Sequence, residues 1–244
     1  MYVEHGGDGD PVLVLLHGLG ATAAVWNGLV ELLPAHWSGS WLAADLPGHG
    51  RSDPLPRYTF GSLAAAVSEV LDPARRHAIL GHSLGGVVAI ALSSGWFGVP
   101  VSAVCGLGIK VRWTDAELAK SAELAARPNR VYDARDEALT RALRVAGLAS
   151  SDAHLADPGI RPVDGGWQLA LDPAAFGVGA PDLPSLLTAA RAPIVLAAGE
   201  HDPMSPADHL RALQPQPVIL PGLGHNAHVD DPSAVLALLD RLHG

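Results

Sequence analysis

The sequence has 244 residues, of which 48% are hydrophobic and 17% charged, as expected for a globular protein with a sizeable core. Its formal net charge of −9 disfavours nucleic acid and anionic membrane surfaces as partners, because both are bound through clustered lysine and arginine. No apolar run reaches the roughly 18 residues of a membrane helix, and the N-terminal residues lack a signal-peptide pattern. We therefore expect a cytoplasmic protein without membrane insertion, in which the one cysteine, Cys105, is buried.

Short apolar runs alternate with helix-like segments through most of the chain. A continuous apolar run is typical of a strand covered on both faces, whereas apolar residues three and four positions apart indicate a helix. We expect buried strands within the segments 11–18, 41–45, 77–83, 101–108, 193–202 and 217–226. We expect helices at 59–72, beginning at Thr59, and at 84–95, 206–213 and 232–244. The alternation predicts an α/β fold with a mostly parallel, doubly wound sheet.

One region interrupts this alternation, because residues 109–184 contain no run typical of a buried strand. The segments 114–128 and 134–149 have the pattern of amphipathic helices, with Thr114 and Asp133 as candidate N-caps. This part of the chain is expected to be mainly helical.

The remainder of the same region, residues 151–176, is rich in proline and glycine and is expected to be irregular. We therefore expect an insertion that lies over one end of the sheet. The predicted division is a core of residues 1–108 and 185–244, with a mainly helical cap of residues 109–184.

The segment GHSLGG, residues 81–86, joins an expected strand to an expected helix. A serine in so tight a turn has strained backbone angles, and glycines around it remove the Cβ atoms that would collide. The hydroxyl then projects from the end of the sheet, and the following amide points to where an oxyanion would form. The pattern Gly-x-Ser-x-Gly is typical of a nucleophile elbow, which makes Ser83 the candidate nucleophile.

A serine nucleophile requires a base and a carboxylate that orients the base. His225 lies in the loop after the last expected strand, and Asp202 lies in the loop after the preceding strand. The chain order Ser83, Asp202, His225 is the one expected for this architecture. We predict that Ser83 is the nucleophile, His225 the general base and then acid, and Asp202 the orienting carboxylate.

The backbone after the first buried strand is expected to complete an oxyanion hole. In HGLG, residues 17–20, the glycines allow a turn, so the amide of Leu19 is predicted to act beside the amide of Leu84. His17 is expected to make structural hydrogen bonds in that turn. His82 is expected to face away from the nucleophile and to have a structural role.

Together these segments resemble the α/β-hydrolase family. The matching motifs are HGLG at 17–20, DLPGHGRSD at 45–53, GHSLGG at 81–86, GEHDPM at 199–204 and GHNAH at 224–228. The resemblance implies a serine-nucleophile, esterase-like branch with a variable cap at 109–184. Serine instead of aspartate at the elbow implies an acyl-enzyme that water hydrolyses. Only YVEHGG precedes the first buried strand, so the leading antiparallel strands usual in the family are expected to be reduced.

Large aromatic side chains near the oxyanion loop and in the cap are candidates for lining a substrate pocket. They are Trp26, Trp113, Tyr132 and Trp167. Lys110 and Arg112 lie where the chain enters the cap, and a surface role is favoured over pairing with a substrate carboxylate. The 12 histidines form no HxH or HExxH spacing, so no metal or other cofactor is expected.

The sequence favours a serine hydrolase acting on a small or medium carboxylic ester. A thioesterase, a lactonase or a hydrolase of carbon–carbon bonds would use the same triad, and the cap would decide among them. A ligand receptor that keeps the fold and turns over slowly is an alternative of another class. In each case the expected partner is a small molecule, and the oligomeric state stays open.

Overall fold

The computed structural model describes residues 1–243, which form an α/β fold around a seven-stranded sheet. The strands of this sheet are β1 (Val3–Gly6), β2 (Val12–Leu16), β3 (Trp41–Ala44), β4 (His77–His82), β5 (Val101–Leu107), β9 (Ile194–Gly199) and β10 (Val218–Leu220). Their order is β1-β3-β2-β4-β5-β9-β10, and every pair is parallel except β1 with β3. The predicted fold class is confirmed, and β1 is the one antiparallel strand of this sheet among residues 1–243.

Helices cover both faces of the sheet. They are α1 (Asn27–His36), α2 (Phe60–Ser68), α3 (Leu84–Leu92), α4 (Asp115–Ala125), α5 (Arg135–Ala146), α6 (Ala153–Ala156), α7 (Leu183–Ala189), α8 (Ala207–Arg211), α9 (Ala227–Asp230) and α10 (Leu236–Leu239). Side chains of β2 alternate between two apolar clusters, with Val14 packing on the side of α2 and α3 and Leu15 on the side of α1 and α10. No helix within residues 1–243 is long and apolar enough to cross a membrane.

Local sequence explains the elements that hold the site. All five residues of β2 are buried, and so are all nine residues of α3, which has the sequence LGGVVAIAL. A strand and a helix without an exposed face must lie in the middle of the molecule. Thr59 caps α2 through a hydrogen bond from the backbone nitrogen of Ser62, as predicted.

Residues 109–184 contain a small sheet that the composition did not indicate. Its strands are β6 (Val131–Tyr132), β7 (Ile160–Val163) and β8 (Gly166–Leu169), in the order β6-β8-β7, all antiparallel. The expectation of an irregular 151–176 is therefore wrong. Asp164 and Gly165 form the two-residue loop of a hairpin between β7 and β8, and an Asp-Gly pair between two short extended segments is a hairpin signal.

Of the two N-caps predicted between residues 109 and 184, the structure confirms one. Thr114 caps α4 by accepting a hydrogen bond from Glu117 N, as predicted. Asp133 does not cap α5, because the helix begins two residues later and its N-cap is Ala134, whose side chain cannot accept a hydrogen bond.

The C-terminal helix is shorter than expected. Of the segment 232–244, α10 comprises only Leu236–Leu239, and residue 244 lies outside the described residues. The preceding chain forms a turn in which the Asp231 carboxylate accepts hydrogen bonds from Ser233 N and Ala234 N. The segment at the start of the expected helix therefore forms a turn around the Asp231 carboxylate.

Candidate active site

The turn from β4 into α3 holds Ser83 in a strained conformation. Its φ is 49° and its ψ is −113°, and it is the only non-glycine residue with positive φ within residues 1–243. The surrounding glycines are required by close packing. A Cβ at Gly81 would lie 2.6 Å from Gly86 N, and a Cβ at Gly85 would lie 2.6 Å from the carbonyl oxygen of His17. Both atoms belong to the backbone, so a side chain at either glycine could not be accommodated by rotamer changes.

His225 and Asp202 form a hydrogen-bonded pair at the carboxyl ends of the last two strands. His225 Nδ1 donates to Asp202 Oδ2 over 2.9 Å. The other carboxylate oxygen of Asp202 accepts from Met204 N at 2.8 Å and Ser205 N at 3.2 Å, so the buried carboxylate is held at both oxygens. Because Nδ1 carries the proton, Nε2 of His225 is left to accept one.

Ser83 and His225 line the same cavity, which has a volume of about 310 Å³ and is called the catalytic cavity below. Its walls come from the sheet edge and from residues 109–184, including Trp113, Val145 and Val178. No hydrogen bond joins Ser83 to His225 among the described residues. This contact is often long in a hydrolase without substrate and shortens when substrate binds.

Backbone amides face the same cavity from two loops. Leu19 and Leu84 both line it, and in the described part of the chain neither amide donates a hydrogen bond to another protein group. Leu84 is also the first residue of α3, where helix amides are unpaired and the helix dipole favours negative charge. These two amides can therefore receive an oxygen that becomes negative.

The structure confirms the predicted structural role of His17. Its Nε2 accepts a hydrogen bond from Leu46 N at 2.8 Å, so Nδ1 carries the proton and donates to the carbonyl oxygen of Gly18 at 2.8 Å. Burial lowers the pKa of His17, since the charged imidazolium would lose its water. The side chain thereby fixes the loop that contains Leu19.

The expectation that His82 faces away from the site is wrong. His82 lines the catalytic cavity, and its ring centre lies 4.6 Å from that of His225. His82 Nε2 donates to the carbonyl oxygen of His225 at 2.9 Å, so His82 supports the backbone of His225. Burial holds the pKa of His82 well below its usual value, with His228 and His225 adding repulsion. Elbow patterns specify only glycine and serine, so the sequence offered no signal for this contact.

The four candidate pocket aromatics have four different positions. Trp113 lines the catalytic cavity. The prediction that Trp26 lines the pocket is wrong, because this side chain is fully buried in the core and packs against His228 with 4.4 Å between the ring centres. Tyr132 lines a separate cavity in the cap, and Trp167, packed near Arg135, lines neither cavity.

Lys110 lies in the catalytic cavity and is not a surface residue as expected. Its side chain is 15% exposed, its ammonium lies 4.7 Å from the centre of the Trp113 ring, and it forms an ion pair with Glu117. The ammonium of Lys110 lowers the pKa of Glu117 to about 2. Arg112 is exposed. The signal for Lys110 was its place at the entry to the cap.

The fold and the arrangement of these residues define a class of protein. Residues 13–238 match the Alpha/beta hydrolase family, and the chain belongs to this family.

Curated relatives with local similarity are esterases. A pimeloyl-[acyl-carrier protein] methyl ester esterase of Aeromonas salmonicida is 46% identical over 94 residues, which are 37% of this chain and 35% of that protein. The protein of the same description from Proteus mirabilis is 39% identical over 89 residues, 36% of this chain and 33% of that protein. The matches thus span about a third of the length of these relatives.

Solved structures share the fold over nearly the whole chain. E-2-(acetamidomethylene)succinate hydrolase superposes with a TM-score of 0.80 at 23% identity and covers 98% of this chain and 93% of its own. The thioesterase domain from the curacin biosynthetic pathway has a TM-score of 0.77 at 20% identity, with 97% and 94% covered. At these identities the likeness concerns the fold.

Proposed function

We propose that the protein is a serine hydrolase that cleaves carboxylic esters of small molecules through an acyl-enzyme. The observation that carries this proposal is the 2.9 Å hydrogen bond between His225 Nδ1 and Asp202, with Ser83 in the cavity that His225 also lines. That bond leaves Nε2 of His225 as a proton acceptor next to a serine held at a positive φ.

The proposed reaction has two halves. His225 Nε2 takes the proton of Ser83 as Oγ attacks the ester carbonyl, and the new oxyanion accepts hydrogen bonds from the amides of Leu19 and Leu84. The intermediate collapses, the alcohol leaves with the proton from His225, and the acyl group stays on Ser83. Water then attacks the acyl carbonyl as His225 takes its proton, the bond to Ser83 Oγ breaks, and His225 returns the proton to Oγ as the acid is released. Asp202 stabilises the imidazolium in both halves.

We further propose that residues 109–184 act as a cap over a core of residues 1–108 and 185–244, of which residue 244 lies outside the described residues. Support comes from the catalytic cavity, since Ser83 lies on its core side and Trp113 and Val178 on its cap side. Helix α7 begins at Leu183 with Asp182 as its N-cap, so the last two residues of the range 109–184 lie in the first turn of that helix. The location proposed for the whole protein is the cytoplasm, which cell fractionation would test.

The names of the curated relatives support an ester as the bond that is cleaved. The catalytic cavity supports a small or medium acyl group, because about 310 Å³ lined mainly by apolar side chains is at the lower end of ligand pockets.

The test is steady-state hydrolysis of p-nitrophenyl esters from acetate to dodecanoate, with a thioester and a lactone. We expect Ser83→Ala and His225→Ala to lose at least about a thousandfold in kcat. His228→Ala is the matched control, because His228 is a buried histidine three residues from His225 in the chain that lies outside the catalytic cavity. Near wild-type turnover in Ser83→Ala would refute the proposal.

Other outcomes would identify the bond instead. Serine-dependent turnover of the thioester or lactone alone would make the protein a thioesterase or lactonase. Absence of turnover on every compound would leave two alternatives, a hydrolase of carbon–carbon bonds and a ligand receptor. A ligand that raises the Tm without being turned over would favour the receptor.

A further inference from the structure

A second cavity lies in the cap region beside the catalytic cavity. It has a volume of about 510 Å³ and is called the cap cavity below. Arg144 and Val145 line both cavities, so the two spaces are neighbours separated by these side chains. A molecule whose ester lies at Ser83 could therefore extend past Arg144 into the cap cavity.

The charge of the cap cavity is opposite to that of the protein. The whole sequence has 16 lysines and arginines against 25 acidic residues. The lining of the cap cavity has four arginines, a quarter of those basic residues, and Glu137 as its one acidic residue. The arginines are Arg127, Arg130, Arg141 and Arg144. A concentration of one sign of charge in a cleft attracts ligands of the opposite sign.

Three of these arginines have no carboxylate partner. Arg127 forms an ion pair with Glu123, and Arg130 lies over the ring of Tyr132 at 4.8 Å. Among residues 1–243 no salt bridge involves Arg130, Arg141 or Arg144. Their guanidinium donors remain available, and the planar guanidinium matches the geometry of carboxylate and phosphate.

Helix α5 presents a cationic face to the cap cavity. Glu137, Thr140, Arg141 and Arg144 lie three or four residues apart, so they share one side of the helix. Arg141 is half-buried, which reduces the screening of its charge by solvent. Leu169, Leu171 and Phe176 contribute apolar surface to the same cavity. A cationic wall and an apolar wall together fit an organic chain that ends in an oxyanion.

We propose that the cap cavity is a subsite for an oxyanion, carboxylate or phosphate, carried by the substrate at a distance from its ester bond. Arg141 and Arg144 bind this group, and Thr140 can add a hydroxyl donor. This inference rests on the proposed esterase function and narrows its substrate class to anionic esters. It also explains why a protein of net negative charge concentrates arginine at this position.

The test compares p-nitrophenyl esters of equal acyl length that end in a methyl group, a carboxylate or a phosphate. A second set consists of esters of other alcohols, and in these esters the alcohol part carries the methyl group, the carboxylate or the phosphate. We expect the ratio of kcat/KM for the best anionic ester over its neutral counterpart to exceed about ten, as charge-assisted hydrogen bonds allow. Arg141→Gln should lower this ratio about tenfold, and 0.5 M salt should also lower it.

Arg161→Gln is the matched control, because Arg161 is an exposed cap arginine that lies outside both cavities. The proposal is overturned if wild type shows no preference for any anionic ester, or if Arg161→Gln lowers the ratio as much as Arg141→Gln. Turnover of neutral esters that survives in Ser83→Ala would instead refute the esterase function, so the two failures are distinguishable.

A binding measurement gives an independent readout. Calorimetric titration of Ser83→Ala with the carboxylate and phosphate esters should show which oxyanion is preferred. Adding Arg141→Gln to Ser83→Ala should raise the Kd of the preferred ester about tenfold, whereas the Kd of the methyl-ended ester should change less than twofold. An equal increase for both esters would mean that Arg141 only supports the cap, and would overturn the proposal.

Discussion

Acidification is expected to destabilise the protein through two buried histidines. Burial lowers the pKa of His49 to about 3 and that of His228 to about 3, with neighbouring histidines adding repulsion. An unfolded histidine has a pKa of about 6.5. Below that value the unfolded chain binds protons that the folded chain excludes, so stability is complete above pH 6.5 and falls as the pH decreases towards 3.

The magnitude follows from the difference in bound protons. At pH 5 an unfolded imidazole is roughly 97% protonated, whereas a folded one with a pKa of about 3 is almost neutral. Integrated from pH 8 to pH 5, this difference lowers the free energy of unfolding by about 2 kcal/mol for each histidine. His49 and His228 together therefore contribute a loss of about 4 kcal/mol.

His228→Phe isolates one of the two contributions. Phenylalanine keeps an aromatic ring against Trp26, 4.4 Å away, and against His82, also 4.4 Å away, but has no proton to bind. Urea unfolding at pH 8 and pH 5 should show that the variant loses about 2 kcal/mol less than wild type between the two pH values. Exposed His5, changed to glutamine, is the control. Equal pH dependence in wild type and His228→Phe would refute the reasoning.

Three further predictions concern the elbow, the base and the core. Gly85→Ala should destabilise the protein by more than about 2 kcal/mol in urea unfolding, because the new Cβ would lie 2.6 Å from the His17 carbonyl oxygen; an unchanged midpoint would contradict this. His82→Leu should lower kcat for esters about tenfold with little change in KM, because the hydrogen bond to His225 O is lost. His82→Gln should restore much of the lost kcat by donating to the same oxygen. Equal activity in both variants would exclude this positioning role. Leu29→Ala should lower the free energy of unfolding by about 2–5 kcal/mol, since Leu29 is fully buried. A loss below about 1 kcal/mol would mean that neighbouring side chains close the cavity left by the substitution.

Much of the core and the strained turn at Ser83 could be predicted from local patterns. The fully buried strand β2 and helix α3 are continuous apolar runs, and such runs have only one stable location. The strain at Ser83 follows from glycines around a serine at a strand-to-helix turn. The segment 109–184 was less predictable, because its short elements bury little apolar surface. Its hairpin depends on an Asp-Gly loop, which the overall composition of the segment does not reveal.

The sequence by itself determined the order of the core strands β2, β3, β4, β5, β9 and β10, the glycine-flanked Ser83, and the loops that carry Asp202 and His225, since each depends on residues adjacent in the chain. It indicated neither α1 nor the small sheet of β6, β7 and β8. Only the tertiary structure decided which side chains meet across long separations. In the tertiary structure His82 donates a hydrogen bond to the backbone of His225, 143 residues away in the chain. Trp26 lies in the core, and four arginines line the cap cavity. The physical reason is that side-chain direction and burial depend on packing between elements, which local periodicity does not encode.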